Sequence, residues 1–189
     1  MTIAFLPPMS PPARASGLLG ALAGLTLAIR PLGPQDADRY QTHVRQLSPA
    51  SRRNRFLGGM NELPAAEVRR LMNASRGLVF AFAAEMIIGC RRTMVGETVY
   101  APVPATGSAE FALSVADPWQ GLGIGTRLLT FLGARAAADG NHLLFGETLR
   151  DNESMLALAR KTGLSLKRHP EDSRLVRLEG PLPGIAAAR

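Results

Sequence analysis

The stretch AEFALSVADPWQGLGIGTR, Ala109 to Arg127, is the most informative in the chain. Ala109 to Ala116 is an apolar run of strand length, and Asp117-Pro118 ends it. Gly121, Gly123 and Gly125 come next within five residues, and Leu122 to Ala138 then carries an apolar face at helical spacing. The segment therefore reads as a buried strand, a tight glycine turn and a helix that starts at once. Glycines in such a turn let backbone N–H groups point inward and approach an anion, and the helix adds its positive end. Thr126 contributes a hydroxyl and Arg127 a charge. The same glycines serve equally well to make the turn and nothing more. Two alternative phosphate motifs are weakened. A nucleoside-triphosphate loop needs Lys and then Ser/Thr after its last glycine, whereas Gly125 precedes Thr126-Arg127. The glycine spacing also fails the dinucleotide fingerprint.

Upstream, Leu25 to Arg30 alternates and stops at Pro31, as a first strand does. Pro34-Gln35-Asp36 opens a helix to about Leu47, and Pro49 separates it from the next element. Ser51 to Phe56 and Ala65 to Asn73 are two further short helices joined by Gly58-Gly59. Leu78 to Ala84 and Ile87 to Val95 read as paired strands with Glu85-Met86 at their turn, and Tyr100 to Gly107 as a loop. Downstream come His142 to Leu149 as a buried strand, Asn152 to Thr162 as a helix, and Leu164 to Leu178 as a terminal hairpin. This order predicts an α/β (α+β) domain around a mixed sheet. The expected domain spans 25–180, between a Pro/Gly/Ala-rich flexible extension (1–24) and a flexible tail (181–189).

The bulk properties set the class. A chain of 189 residues suits one domain with a sizeable core. With 46% hydrophobic and 20% charged residues it is an ordinary globular sequence without a membrane-spanning run. Ala15 to Ile29 imitates a secretion signal with a cut near Ala21-Leu22-Ala23. That cut would leave almost no apolar stretch before it, so the expected location is cytoplasmic. One cysteine, Cys90, excludes an internal disulfide, and His43, His142 and His169 lack metal-ligand spacing. No metal is expected. The net charge of +7 is spread along the chain without interleaved aromatics, which argues against nucleic acid as a partner.

A family resemblance adds to this reading. Gln120-Gly121-Leu122-Gly123-Ile124-Gly125 resembles the Gln/Arg-x-x-Gly-x-Gly/Ala signature of the GNAT superfamily of N-acetyltransferases, and it lies between the central strand and the following helix as in that family. Asn152-x-x-Met155, Leu158 and Lys161-Thr162-Gly163-Leu164 resemble its second conserved block. Leu47-Ser48-Pro49-x-Ser51-Arg52 with Arg55-Phe56, Glu110-Phe111-Ala112 and Asp117-x-Trp119-Gln120-Gly121 look like the acetyltransferase domain of bacterial Pat-type protein lysine acetyltransferases. Those proteins often carry further regulatory or ligase-like domains, so regulation by a fused domain is not carried over.

The resemblance implies the GNAT fold, a mixed, mostly antiparallel twisted sheet of about six or seven strands flanked by helices. It implies acetyl transfer from acetyl-CoA to a primary amine, of a protein lysine or a small molecule, by direct attack in a ternary complex. Backbone groups of Ser114, Val115 and Ala116 would bond the pantetheine and thioester. Gln120 and the amides of Gly121, Leu122, Gly123, Ile124, Gly125 and Thr126 would hold the pyrophosphate. Asn152 and Met155 would face the cofactor, Asn152 also serving as a helix cap, a role that could be its only one. Many such domains pair through their terminal strands, so a homodimer is one expectation.

The amine must lose a proton before attack, so a carboxylate in reach is the expected base. Glu110 is the first candidate because it interrupts the apolar central strand where the resembling enzymes place an acid. A solvated charge at a strand end is the alternative. Glu147, inside HLLFGETL, is the second candidate, unless it pairs with a neighbouring arginine. Glu97 is the third. The family's usual leaving-group acid, a tyrosine in the last helix, falls on Ala159. That absence supports a competing reading, a catalytically weak acyl-CoA sensor or interaction module. Cys90 reads as a buried inert thiol and Trp119 as a packing anchor. Arg52, Arg53 and Arg55 would favour an acceptor with flanking acids.

Overall fold

A computed structural model describes residues 26–73, 79–88 and 90–182. The extension 1–24 and nearly all of the expected tail lie outside them. Pro181 is the last residue of the final strand, and Leu182 packs in the core. Seven strands form one sheet: β1 (Thr26–Pro31), β2 (Phe80–Ile88), β3 (Arg91–Val103), β4 (Ser108–Val115), β5 (Leu143–Leu149), β6 (Ser165–Arg168) and β7 (Leu175–Pro181). The spatial order is β1-β2-β3-β4-β5-β7-β6. Every neighbouring pair is antiparallel except β4 and β5, which are parallel. The helices are α1 (Ala37–Gln46), α2 (Pro49–Phe56), α3 (Ala65–Met72), α4 (Ile124–Ala138) and α5 (Glu153–Lys161).

Strand alternation sorts the core onto two faces. On one, Ala81, Ala83 and Val99 meet Tyr40 and Val44 of α1 and Val68, Leu71 and Met72 of α3. On the other, Phe82, Tyr100, Ala109, Phe111 and Leu144 meet Leu129, Leu132 and Ala136 of α4 and Ala159 of α5. Tyr100 stacks on Phe80 at 4.7 Å, and Phe82 meets Phe131 edge-on at 5.0 Å. α4 thus carries the chain over the sheet from β4 to its parallel neighbour, as a crossover requires.

The structure corrects three of the expected local features. Glu85-Met86 is no turn, since β2 runs through both. Glu85 is fully buried on the α1 face, where Arg30 meets it at 2.9 Å and Arg39 at 2.6 Å. Burial alone would raise its carboxyl pKa, but the bonds from Arg30 and Arg39 outweigh burial and hold it below the usual range. A charge in mid-strand reads as a turn only because partners so distant in sequence are invisible locally. Tyr100 does not open a loop either, because β3 continues to Val103. β2 ends opposite Tyr100, so beyond it β3 has a strand partner among the described residues on the β4 side alone. Pro102 is tolerated at such an edge. Cys90, expected buried in a strand, is exposed at the turn between β2 and β3.

Candidate active site

The two parallel strands part company soon after they meet. β4 pairs with β5 only through Ser108–Glu110 opposite Leu143–Phe145. Past that point Gly146 lies so close to β4 that a Cβ there would sit 2.8 Å from the Phe111 carbonyl oxygen. The strands then diverge, and a cavity of ≈ 440 Å³ opens between them. Phe111 to Val115 form one wall, Glu147 and Thr148 the other, and Ser51, Asn54 and Arg55 of α2 reach in from one side. From Phe111 onward the side of β4 that faces β5 has no strand partner among the described residues, which leaves backbone there for an extended ligand.

The glycine turn closes the wide end. Gly121 and Gly123 take φ of 76° and 81°, the left-handed region that glycine enters without a Cβ clash. Gly125 has a different reason, since a Cβ there would meet Leu158 of α5 at 3.3 Å. Gly123 caps α4, whose first bond across the turn runs from the Arg127 amide to the Gly123 carbonyl at 3.1 Å. The amides of Ile124, Gly125 and Thr126 therefore have no acceptor within the helix, and Gly121, Gly123, Gly125 and Thr126 line the cavity. Backbone donors and a helix N-terminus at the mouth of a cavity suit phosphate oxygens.

Polar contacts brace this turn. The Gln120 side-chain amide donates to the Val115 carbonyl at 2.9 Å and to Ser51 Oγ at 3.3 Å. Asp117 accepts from the Ser48 amide at 2.9 Å and from the hydroxyls of Ser48 at 2.6 Å and Ser51 at 2.8 Å. Its partial burial would raise the carboxyl pKa, but these serine bonds hold it below the usual range. Ser48 also caps α2 by accepting from the Ser51 amide at 3.1 Å. The start of α2 is thereby tied to the glycine turn.

Beside the cavity lies a buried polar chain. Arg55 Nε donates to Glu97 Oε1 at 2.6 Å, Ser114 Oγ donates to the same oxygen at 2.9 Å, and the Tyr40 hydroxyl donates to Oε2 at 3.4 Å. Because Ser114 gives its proton to a carboxylate, it accepts from His43 Nε2 at 3.0 Å. Burial pushes the His43 imidazole below its ordinary value, so it stays neutral at pH 7, and its Nδ1 is buried without a partner. Sequence reading missed His43 and the Ser114 side chain. The available signal was His43 at helical spacing from Tyr40, on the buried face of α1.

The expected cofactor-binding residues fall into two sets. Ser114, Val115, Gln120, Gly121, Gly123, Gly125, Thr126, Asn152 and Met155 line the cavity. Ala116, Leu122 and Ile124 pack with Trp119 around Leu128 and present no polar side chain, and the Ala116 amide and carbonyl are already engaged by the Val95 carbonyl and the Trp119 amide, each at 2.8 Å. Asn152 Oδ1 caps α5 from the Met155 amide at 3.2 Å, while its Nδ2 donates to Thr148 Oγ1 at 2.8 Å. Ala159 is fully buried, and of the α5 residues that line the cavity Ala157 and Leu158 carry no proton donor, whereas Ser154 and Lys161 do.

The two candidate bases differ in setting. Glu110 is exposed and outside the cavity lining, paired with Phe145 at the closed end of the fork. Glu147 lines the cavity. Arg177 stands opposite Glu147 on β7, yet its guanidinium lies over the Phe145 ring at 4.1 Å and its Nε donates to Glu179 at 2.8 Å. Glu147 therefore has no arginine partner among the described residues, and it bonds His169 Nε2 at 3.1 Å instead. No cluster of His, Cys, Asp or Glu suited to a metal occurs among the described residues. No helix among them is long and apolar enough to cross a membrane.

Comparison with known proteins fits this architecture. Residues 50–164 match the model of the Acetyltransferase (GNAT) family. An acetyltransferase of Pseudomonas aeruginosa is 32% identical over 150 residues, which is 79% of this chain and 81% of that protein. The chain belongs to the GNAT acetyltransferase family and is an acyltransferase. Among solved structures it is similar to the GNAT domain of Streptomyces lividans Pat, with 28% identity, a TM-score of 0.73, and coverage of 82% of this chain and 89% of that one. The spermidine N-acetyltransferase of Vibrio cholerae, solved with coenzyme A and spermine, shares the fold at 19% identity and a TM-score of 0.66, covering 85% of this chain and 96% of that one.

Proposed function

We propose that this enzyme transfers the acetyl group of acetyl-CoA to a primary amine, on a protein lysine or a small molecule, by direct attack in a ternary complex. The observation that carries the reading is the fork itself: unpaired β4 backbone leading to left-handed glycines and a helix N-terminus. An extended chain ending in a pyrophosphate needs donors and acceptors in that order. Acetyl-CoA, when bound, supplies a thioester carbonyl carbon for the amine to attack.

The chain's own residues then have separable tasks. Backbone groups of Ser114, Val115 and Ala116 hold the pantetheine arm beside the thioester, and the amides from Gly121 to Thr126, braced by Gln120, hold the pyrophosphate. Asn152 and Met155 close the α5 side. Glu110 takes the proton from the acceptor nitrogen through water, since it stands outside the cavity lining. Glu147, within the lining, is the second carboxylate on the acceptor's path. No tyrosine lines the cavity among the described residues, so solvent or the Lys161 ammonium in the lining would supply the proton of the leaving thiolate.

Titration with acetyl-CoA and coenzyme A, monitored by calorimetry and melting, tests the site, since a ligand of the folded state raises its stability. Glu110→Gln tests the base. The expected outcome is unchanged acetyl-CoA affinity with kcat lowered by about 10²–10⁴, the usual worth of a general base. Undiminished turnover in that variant would remove Glu110 from the mechanism. Failure to bind acetyl-CoA at millimolar concentration would remove the whole reading.

A further inference from the structure

We propose that His169 is a positioning residue that holds Glu147 as the seat for a cationic acceptor amine. The inference rests on the amine-acetylation reading above and assigns the substrate class as an amine that enters as its ammonium ion. His169 lies just past the end of β6, and its ring is fixed from both sides. Nδ1 accepts from the backbone amides of Glu171 at 3.2 Å and Asp172 at 2.9 Å. A nitrogen that accepts two N–H bonds carries no proton, so the ring proton sits on Nε2. Nε2 is 3.1 Å from Glu147 Oε1 and donates to it. The other oxygen of Glu147, Oε2, accepts no hydrogen bond from the described residues.

This arrangement differs from a structural ion pair. The nearest arginine in the sheet, Arg177, is engaged by Glu179 and the Phe145 ring. Arg55, across the cavity, is engaged by Glu97. Glu147 is therefore oriented by the His169 N–H and keeps one oxygen for a ligand. With 27% of its side chain exposed, it stands at the cavity wall and is not sealed in the core. A carboxylate so placed attracts an ammonium group, and the fixed ring sets where that group comes to rest relative to the fork.

Two substitutions of His169 separate the two jobs of its ring. Asparagine places an acceptor where Nδ1 was, which keeps the turn at Glu171 and Asp172 but cannot reach Glu147. Glutamine places a donor where Nε2 was, which keeps the bond to Glu147 and loosens the turn. Acetyl transfer is measured with a blocked lysine peptide and with a diamine, alongside acetyl-CoA affinity and melting temperature. The expected result for His169→Asn is an acceptor KM raised about tenfold, the worth of one hydrogen bond to a charged group. Its kcat, acetyl-CoA affinity and melting temperature stay close to those of the parent. His169→Gln keeps the parental KM while its melting temperature drops. Glu147→Gln combined with His169→Asn raises KM no further than Glu147→Gln alone. A normal KM in the asparagine variant, or equal loss in both variants, overturns the role of His169 and leaves acetyl transfer standing. A parent enzyme that binds acetyl-CoA but acetylates neither probe overturns the cationic-amine assignment. One that does not bind acetyl-CoA overturns the functional reading beneath it.

Discussion

Replacing Glu97 by glutamine isolates what the buried chain beside the cavity contributes. Glu97 is 1% exposed, and both its oxygens are engaged, Oε1 by Arg55 and Ser114, Oε2 by Arg55 and Tyr40. Burial would lower the pKa of the Arg55 guanidinium, but the charge and hydrogen bonds of Glu97 more than reverse that and raise it. Arginine does not deprotonate in the variant, so Glu97→Gln leaves a buried cation without its counterion. Breaking one side of a buried pair costs about 3–5 kcal/mol. Glutamine still accepts one bond from Arg55, which places the expected loss near the lower end, about 3 kcal/mol. For a domain of this size that lowers the melting temperature by about 6–12 °C. Urea unfolding at pH 7 with an unchanged m-value is the assay. Replacing both partners by apolar residues of similar size, Arg55→Met with Glu97→Leu, should recover most of the loss. A loss below about 1 kcal/mol in Glu97→Gln would refute the claim that Glu97 holds the Arg55 charge. The same variant bears on mechanism. A residue with both oxygens occupied is a poor base, so kcat measured well below the melting point should not show the about 10²-fold fall of a lost general base.

Two further outcomes are set by the geometry. His43 is neutral in the fold with its pKa depressed by burial, so the unfolded chain gains a proton near pH 6.5 that the folded chain refuses. Stability should fall as pH drops below that value, by up to about 1.4 kcal/mol per pH unit until folded His43 titrates. His43→Gln should flatten the slope between pH 7 and 5.5, and an unaltered slope in that variant would assign the effect elsewhere. The carboxylates with lowered pKa, Asp36, Glu67, Glu85, Asp117, Asp172 and Glu179, lose their contributions only at lower pH and do not confuse this window. Gly146→Ala would set a methyl group 2.8 Å from the Phe111 carbonyl oxygen at the closed end of the fork. An overpacking cost of about 1–3 kcal/mol in urea unfolding is expected, with weaker acetyl-CoA binding; unaltered stability and affinity would show that the fork tolerates a wider crotch.

What the sequence made legible was local. The glycine turn and the α4 start were readable because left-handed glycines and a helix N-terminus are set by neighbouring residues. The break in α1–α2 at Pro49 and the Asn152 cap of α5 were readable for the same reason. Features that depend on distant partners were not. Glu85 looked like a turn residue because Arg30 lies 55 positions away, and Tyr100 looked like a loop start because its stacking on Phe80 crosses between strands. The His43–Ser114–Glu97–Arg55 chain joins two helices and two strands, and no spacing rule connects them.

The three carboxylates show how partners, more than position, set the role of an acid in this fold. Glu97 pairs with Ser114, Glu110 pairs with Phe145, and Glu147 lies two residues beyond Phe145, so strand alternation puts all three on the sheet face that α1 and α2 approach. Glu97 is committed to Arg55 and Ser114, and its charge is consumed in keeping α2 against the sheet. Glu147 accepts from His169 on one oxygen and lines the cavity. Glu110 is exposed to solvent, outside the cavity lining. Under the proposed function, an acceptor ammonium has Glu147 at the cavity wall to bind it and Glu110, through solvent, to take its proton. Binding and deprotonation are then functions of different residues, and Glu147→Gln should raise the acceptor KM where Glu110→Gln lowers kcat.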